Sequence, residues 1–172
     1  MPWVTSSTPP GLSRFNLVDA DTAAALLRAV CASSAWGAEV VAGRPYGDLA
    51  GLLVASDGAM AGLGEGDLRE AMDAHPPIGR PVAGESAREQ AGVGEDERAE
   101  LLELNLAYQE VHGHVFLICA TGATGAEIRA ALRERIGNDT PTEREIVRTE
   151  LGKINRIRLS RLAETAVQEG TP

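Results

Sequence analysis

One run in this chain of 172 residues reads as extended, "HVFLICAT" at residues 114–121. So short an apolar run cannot be told from a buried helical segment by periodicity alone. Around it the chain is punctuated as helices. "DADTAAALLRAVC" opens on carboxylates suited to an N-cap and predicts a first helix from Asp19 or Asp21. "SSAWGAEVVAG" predicts a second that ends at Gly43, with "RPYGD" as the turn after it. "DLAGLLVASDGAMAGL" and "EGDLREAMDAH" predict two more, the latter stopped by Pro76 and Pro77. "SAREQAGV" is a short helical piece, and "EDERAELLELNLAYQEVHG" a long one whose acidic first turn suits the macrodipole. "GAEIRAALRERIG" follows, and a last helix starts at Thr140 in "TPTE", a capping-box pattern closed by Glu143, and reaches about Gln168. The expectation is an all-α, single-domain helical bundle of about eight helices with one short extended segment. Residues 1–13 read as a flexible lead-in, 14–168 as the domain and 169–172 as a tail.

Composition narrows the partners. Apolar residues make up 44% but aromatics only 3%, so the core is expected from Leu, Ile, Val and Ala. A net charge of −9 argues against a nucleic-acid backbone or an anionic membrane surface as partner. A few local arginines can still hold a small anion. Cys31 and Cys119 are too few for a disulfide framework, and Cys119, inside the apolar run, reads as a core residue. No stretch of eighteen apolar residues occurs, and "MPWVTSSTPPGLSRFNL" lacks the pattern of a secretory signal. The expected setting is cytoplasmic.

Chemistry concentrates in "AHPPIGRPVAGESAREQAG", residues 74–92. A capping box S-x-x-E accounts for Ser86 and Glu89, and a helix end accounts for His75. An acid/base site accounts for them as well: His75 is suited to proton transfer near neutrality, the prolines and Gly79 stiffen its loop, and Glu89 could orient the imidazole. Two rivals stand beside it. One is a metal site drawing on His75, His112 and His114, with no carboxylate or cysteine cluster at ligand spacing. The other is a Ser86–His75–Glu89 triad, in which Ser86 lacks a glycine-flanked elbow. On the last helix Val147, Leu151, Ile154 and Leu162 form an apolar stripe with Arg158 in its middle. A buried guanidinium requires an internal partner or an anion-binding cavity. Asn105, on the apolar face of the helix ending at Glu110, is expected to hydrogen-bond a loop carbonyl.

Taken in order, "HPPIG", "ESAREQ", "LNLAYQEVHGHVFLICA", "EIRAALRERIGN" and "EIVRTELGKINRIRLSRL" resemble the 2-oxo-4-hydroxy-4-carboxy-5-ureidoimidazoline (OHCU) decarboxylases of urate breakdown, as does the earlier "AWGAEVVAGRPYGD". The resemblance runs from about Trp36 to Leu162. It implies that His75 is the catalytic proton donor with Pro76 shaping the pocket, and that Ser86, Glu89 and Gln90 hold the substrate, Glu89 also pairing with the histidine. It implies further that the backbone of Phe116, Leu117, Ile118, Cys119 and Ala120 bonds the ligand's amide-like edges and that Arg158 is a cationic clamp. It also implies an all-helical, commonly dimeric enzyme that needs no metal or organic cofactor and makes (S)-allantoin from OHCU. The chain departs from the family at "HGHVF", where many members carry aromatic residues around the glycine, and in a short interval between His75 and Ser86. Two other readings remain: a non-catalytic helical module binding a ureide or purine metabolite, and a metal-dependent hydrolase.

Overall fold

The computed structural model describes residues 8–80 and 84–165, Glu85 by its backbone only. Among these, nine helices form and no strand: α1 (Pro10–Leu17), α2 (Ala20–Arg28), α3 (Ser34–Ala42), α4 (Leu49–Ala61), α5 (Glu65–Asp73), α6 (Gly84–Glu89), α7 (Glu95–His112), α8 (Gly125–Arg135) and α9 (Thr140–Glu164). The fold is all-α, as expected. The sequence reading takes 14–168 as one domain; by contact the chain divides into two compact units, residues 64–154 and the remainder on either side.

In the first unit, helix starts follow local chemistry. Asp19, Ser33 and Asp48 accept hydrogen bonds from the backbone of Thr22, Trp36 and Gly51, each holding one of the amides a helix start leaves unpaired. Helices pack in chain order, α1 on α2, α2 on α3 and α3 on α4. Trp36 is fully buried, its indole N–H donating to the Ser56 carbonyl at 3.3 Å. The lead-in is shorter than expected. Pro10 sits in the first turn, where its fixed φ suits a helix, and Leu12 and Phe15 are wholly buried. Arg44 Nη1 then takes the carbonyls of Phe15 and Val18 at the end of α1, at 2.7 and 2.8 Å. Residues 1–7 of the expected lead-in and the tail at 169–172 lie outside the described residues.

The second unit packs α7 against α8 around a core of Ile78, Val93, Leu101, Tyr108, Phe116, Ala120, Ile128 and Leu132. The start of α9 corrects the sequence reading. Asp139, not Thr140, caps it, its Oδ1 accepting from the Thr142 amide at 2.8 Å. Glu143 is drawn inside, fully buried, where its carboxylate accepts from Arg135 Nε and Nη2 (3.1 and 2.9 Å), Tyr108 Oη (2.5 Å) and Asn138 Nδ2 (2.9 Å). Helix α9 ends at Glu164, short of Gln168, which lies outside the described residues. Its buried face also differs from the expected stripe. Beyond Ile154 the buried residues are Asn155, Leu159 and Ala163, while Leu162 and Arg158 are half-buried. The four-residue step from Val147 and Leu151 carries on through Asn155, so the stripe passes beside Arg158.

Burial pushes the Glu143 carboxyl up, but the hydrogen bonds from Arg135, Tyr108 and Asn138 outweigh it and hold the group below its ordinary value of 4.5. The unfolded chain therefore binds the extra proton first, so this stabilisation is whole above about pH 4.5 and is lost as pH falls through the depressed value. Glu143→Gln leaves Arg135 charged and buried without its counter-ion, and should lower the unfolding free energy by about 3–5 kcal/mol at neutral pH, measured by urea titration. Repeating the titration down to acid pH should show the difference from the parent shrinking; a constant difference would contradict the account.

Candidate active site

His75 stands just past α5, its backbone N–H donating to the Met72 carbonyl at 3.0 Å. Pro76 and Pro77 forbid further helix there. The chain then turns: the Arg80 amide donates to the Pro77 carbonyl at 3.3 Å, with Gly79 at φ 102° in the third position of the turn, the conformation of a type II turn. A Cβ on Gly79 would lie 2.4 Å from the Arg98 carbonyl and 3.0 Å from the Leu102 nitrogen, both backbone atoms of α7. This glycine presses the histidine loop onto the longest helix of the unit. The loop is therefore a rigid mount.

Ser86 lies within α6 and not at its start, since the helix begins at Gly84. The capping-box explanation of Ser86 and Glu89 is thereby replaced. Glu89 and Gln90 at the end of α6 are 7% and 5% exposed. They face a cavity of about 20 Å³ walled by His75, Pro76, Ile78, Ser86, Glu89, Gln90, Phe116, Leu117, Ile118, Ala120 and Ile154. Gln90 Oε1 is buried with no hydrogen-bond donor.

The opposite wall is the run at 115–120, which is neither helix nor strand. A buried segment without a sheet partner needs other groups for its backbone. Side chains from three helices supply them. Asn105 Oδ1 on α7 accepts from the Phe116 amide at 3.4 Å. Arg135 Nη1 on α8 donates to the Leu117 carbonyl at 2.7 Å, with its guanidinium 4.4 Å over the Phe116 ring. Glu150 Oε2 on α9 accepts from the Cys119 amide at 2.7 Å and is itself paired to Lys153. Asn105 thus serves as an acceptor for a loop amide, where the sequence suggests a donor to a loop carbonyl.

Of the residues singled out from sequence, His75, Pro76, Ser86, Glu89, Gln90, Phe116, Leu117, Ile118 and Ala120 meet at this cavity. Cys119 is not among its walls: its amide is committed to Glu150, and burial pushes its thiol up, away from a thiolate. Arg158 belongs to the first unit, where it is half-buried and its Nη1 donates to the Val30 carbonyl at 3.0 Å. Sequence reasoning missed Ile78 and Ile154 as walls, and Arg135, Glu143 and Glu150 as supports. The spacing of Glu143 from Val147 and Leu151, and of Arg135 from Ile128 and Leu132, signals inward charges on two apolar faces. Glu150 carries no such signal. The histidines are divided: His75 lines this cavity, while His112 and His114 line another. Among the described residues no three or more His, Cys, Asp or Glu could hold a metal ion.

Gly79→Ala should destabilise the protein by about 1–3 kcal/mol from backbone strain, and more if α7 cannot yield. Thermal unfolding measures this, and an unchanged midpoint would show that the turn is not fixed as described.

The sequence profile described as OHCU decarboxylase matches residues 16–160. Among curated relatives, the uric acid degradation bifunctional protein TTL of Arabidopsis thaliana is 32% identical over 144 residues, covering 77% of this chain and 44% of that protein. The uric acid degradation bifunctional protein PucL of Bacillus subtilis is 29% identical over 153 residues, covering 84% and 31%. The chain thus spans less than half the length of these relatives. A solved structure described as OHCU decarboxylase in the presence of (S)-allantoin superposes with a TM-score of 0.74 at 28% identity, over 86% of this chain and all of that one. A structure described as (S)-allantoin synthase, at 20% identity, shares the fold with a TM-score of 0.66 over 90% of this chain and 54% of that one. No helix of the described residues is long and apolar enough to cross a membrane. With its profile match running through both units and its helices following the solved relative, the chain belongs to the OHCU decarboxylase family.

Proposed function

We propose that the chain decarboxylates OHCU to (S)-allantoin, with His75 as the proton donor. The observation that carries this is the convergence of His75, Ser86, Glu89 and Gln90 on one cavity, where a buried Gln90 oxygen still lacks a donor. Loss of carbon dioxide breaks the bond to the carboxylate carbon and leaves the electron pair on a ring carbon of the substrate. Neighbouring imino and carbonyl groups of that ring delocalise it, so the substrate is its own electron sink and the chemistry demands no separate one. The protein's share is orientation, charge stabilisation and one proton to one face. His75 delivers the proton, and Glu89 orients its ring. Ser86 and the Gln90 amide hold the ureido edge, and the amides of Leu117 and Ile118, which none of the supporting side chains engages, meet the carbonyl edge. At about 20 Å³ the cavity holds roughly one water. A ring bearing a carboxylate and a ureido arm is far larger, so productive binding widens the cavity on its α6 side, away from the run 115–120 held by Asn105, Arg135 and Glu150.

The test generates OHCU in situ from urate with urate oxidase and hydroxyisourate hydrolase and follows optical rotation. The protein should accelerate the appearance of dextrorotatory allantoin, and His75→Ala should cut the rate by roughly 10²–10⁴-fold while remaining folded. Ligand binding without turnover would instead favour a non-catalytic ureide-binding module.

A further inference from the structure

A second cavity, of about 270 Å³, opens among α5, the end of α7 and the start of α9. Its size is just under the roughly 300 Å³ at which small-molecule sites usually begin. Leu68 and Met72 give it an apolar wall, Arg69 and Arg144 supply two guanidinium groups, and His112 and His114 form its inner end. Both histidines are more than nine-tenths buried, and the Nε2 atom of each has no hydrogen-bond partner. Two orphaned ring nitrogens just behind the lining of one cavity call for a donor, which a ligand can supply once the ring turns toward it.

The chemistry of that ligand follows from the proton positions. His114 Nδ1 lies 3.0 Å from the Val115 carbonyl, which can only accept, so Nδ1 carries the hydrogen. Burial holds the His114 imidazole below its ordinary value of 6.5, so at pH 7 the ring is neutral. Its Nε2 therefore presents a bare lone pair and requires an N–H or O–H donor. His112 Nδ1 lies 3.2 Å from the Thr140 hydroxyl, which can take either role. The guanidinium groups require the opposite, anionic oxygen. Arg144 is paired with Glu65, and Arg69 adds a cation from the next turn of α5. A cation is disfavoured there: two guanidinium groups outweigh the one carboxylate of the lining, Glu65, and among the described residues no three or more His, Cys, Asp or Glu could hold a metal ion.

We propose that this cavity is a second binding site, separate from the candidate active site, for a small planar organic anion that also carries N–H donors. Its anionic oxygen lies on Arg69 and Arg144 and its flat face against Leu68 and Met72, and a small turn of the His114 ring brings the buried Nε2 to its N–H. The urate monoanion is the simplest probe of that class, and the relatives described above are uric acid degradation proteins. Tyr108 packs on both histidines and edge-on against Phe116, with ring centroids 4.5, 5.6 and 5.2 Å away, and Phe116 is a wall of the first cavity. A ligand at the second site therefore touches a ring cluster that continues to the first.

The experiment titrates urate into the full chain by calorimetry, with oxalate, an anion without N–H, as comparison, and follows the 15N resonances of the histidine rings. Saturable urate binding is expected, with the His114 Nε2 resonance moving as its lone pair accepts a proton donor. Arg69→Gln and His114→Phe should each weaken urate roughly tenfold, the worth of one charged or buried hydrogen bond, while His114→Phe should leave oxalate unchanged. Glu89→Gln, in the first cavity, should not move the His114 resonance response. No urate binding, or urate binding indifferent to both Arg69→Gln and His114→Phe, overturns the proposal, as does a response abolished by Glu89→Gln. None of these outcomes bears on turnover of OHCU, so this site and the proposed reaction stand or fall apart.

Discussion

The second unit is organised around one buried charge pair. Glu143, fully enclosed, gathers donors from Arg135, Tyr108 and Asn138, and Arg135 also donates from Nη1 to the Leu117 carbonyl. Removing such a pair from water costs several kcal/mol per ion, which Coulomb attraction alone does not reliably return. An apolar pair of equal volume could hold α8 to α9 as firmly. It could not hold a backbone carbonyl. The arrangement is better understood as specifying position: the guanidinium, over the Phe116 ring and bonded to the Leu117 carbonyl, sets where the run 115–120 lies, and that run is a cavity wall.

The same interaction explains which parts of the fold are legible in the sequence. Caps at Asp19 and Ser33, and helix ends at Gly43 and Gly113, are local choices, made by a side chain and the backbone three or four residues away. They are readable because nothing distant competes for those groups. Ser86-x-x-Glu89, Thr124-x-x-Glu127 and Thr140-x-x-Glu143 are alike as text. Only at Thr124 does the reciprocal box form, with Glu127 exposed and bonded back to the Thr124 amide at 2.8 Å. Glu89 and Glu143 are buried. A carboxylate that could close a box was drawn inward in both cases, by the cavity in one and by Arg135 in the other. Local pattern and tertiary demand compete for one side chain, and a single sequence does not announce which wins.

Arg158 illustrates a different limit. Its place on the wheel between Ile154 and Leu162 is correct for a straight stripe of period 3.6. The buried positions of α9 instead advance by fours through Val147, Leu151, Asn155, Leu159 and Ala163. That row drifts around the helix, and over 25 residues the drift moves Arg158 from the centre of the apolar face to its margin. The sequence shows that an arginine stands among apolar residues. Which face is covered depends on the neighbours, and those come from elsewhere in the chain.

The three histidines are divided between two places in the fold. Three imidazoles in one chain invite a shared role, and "HGH" invites it most. Yet His75 is held by a proline-rich turn locked to α7 through Gly79, while His112 and His114 sit where α7 ends at Gly113, whose φ of 74° reverses the chain. The positive-φ glycine folds His114 back against Tyr108, so two histidines separated by that one glycine both pack on a ring whose hydroxyl is bound to Glu143. Burial and that carboxylate push the Tyr108 phenol well above its usual value, so it stays a donor across the physiological range and the cluster keeps one hydrogen-bond pattern. A wall so fixed presents the backbone of the run 115–120 in a constant orientation, as the reaction proposed above requires.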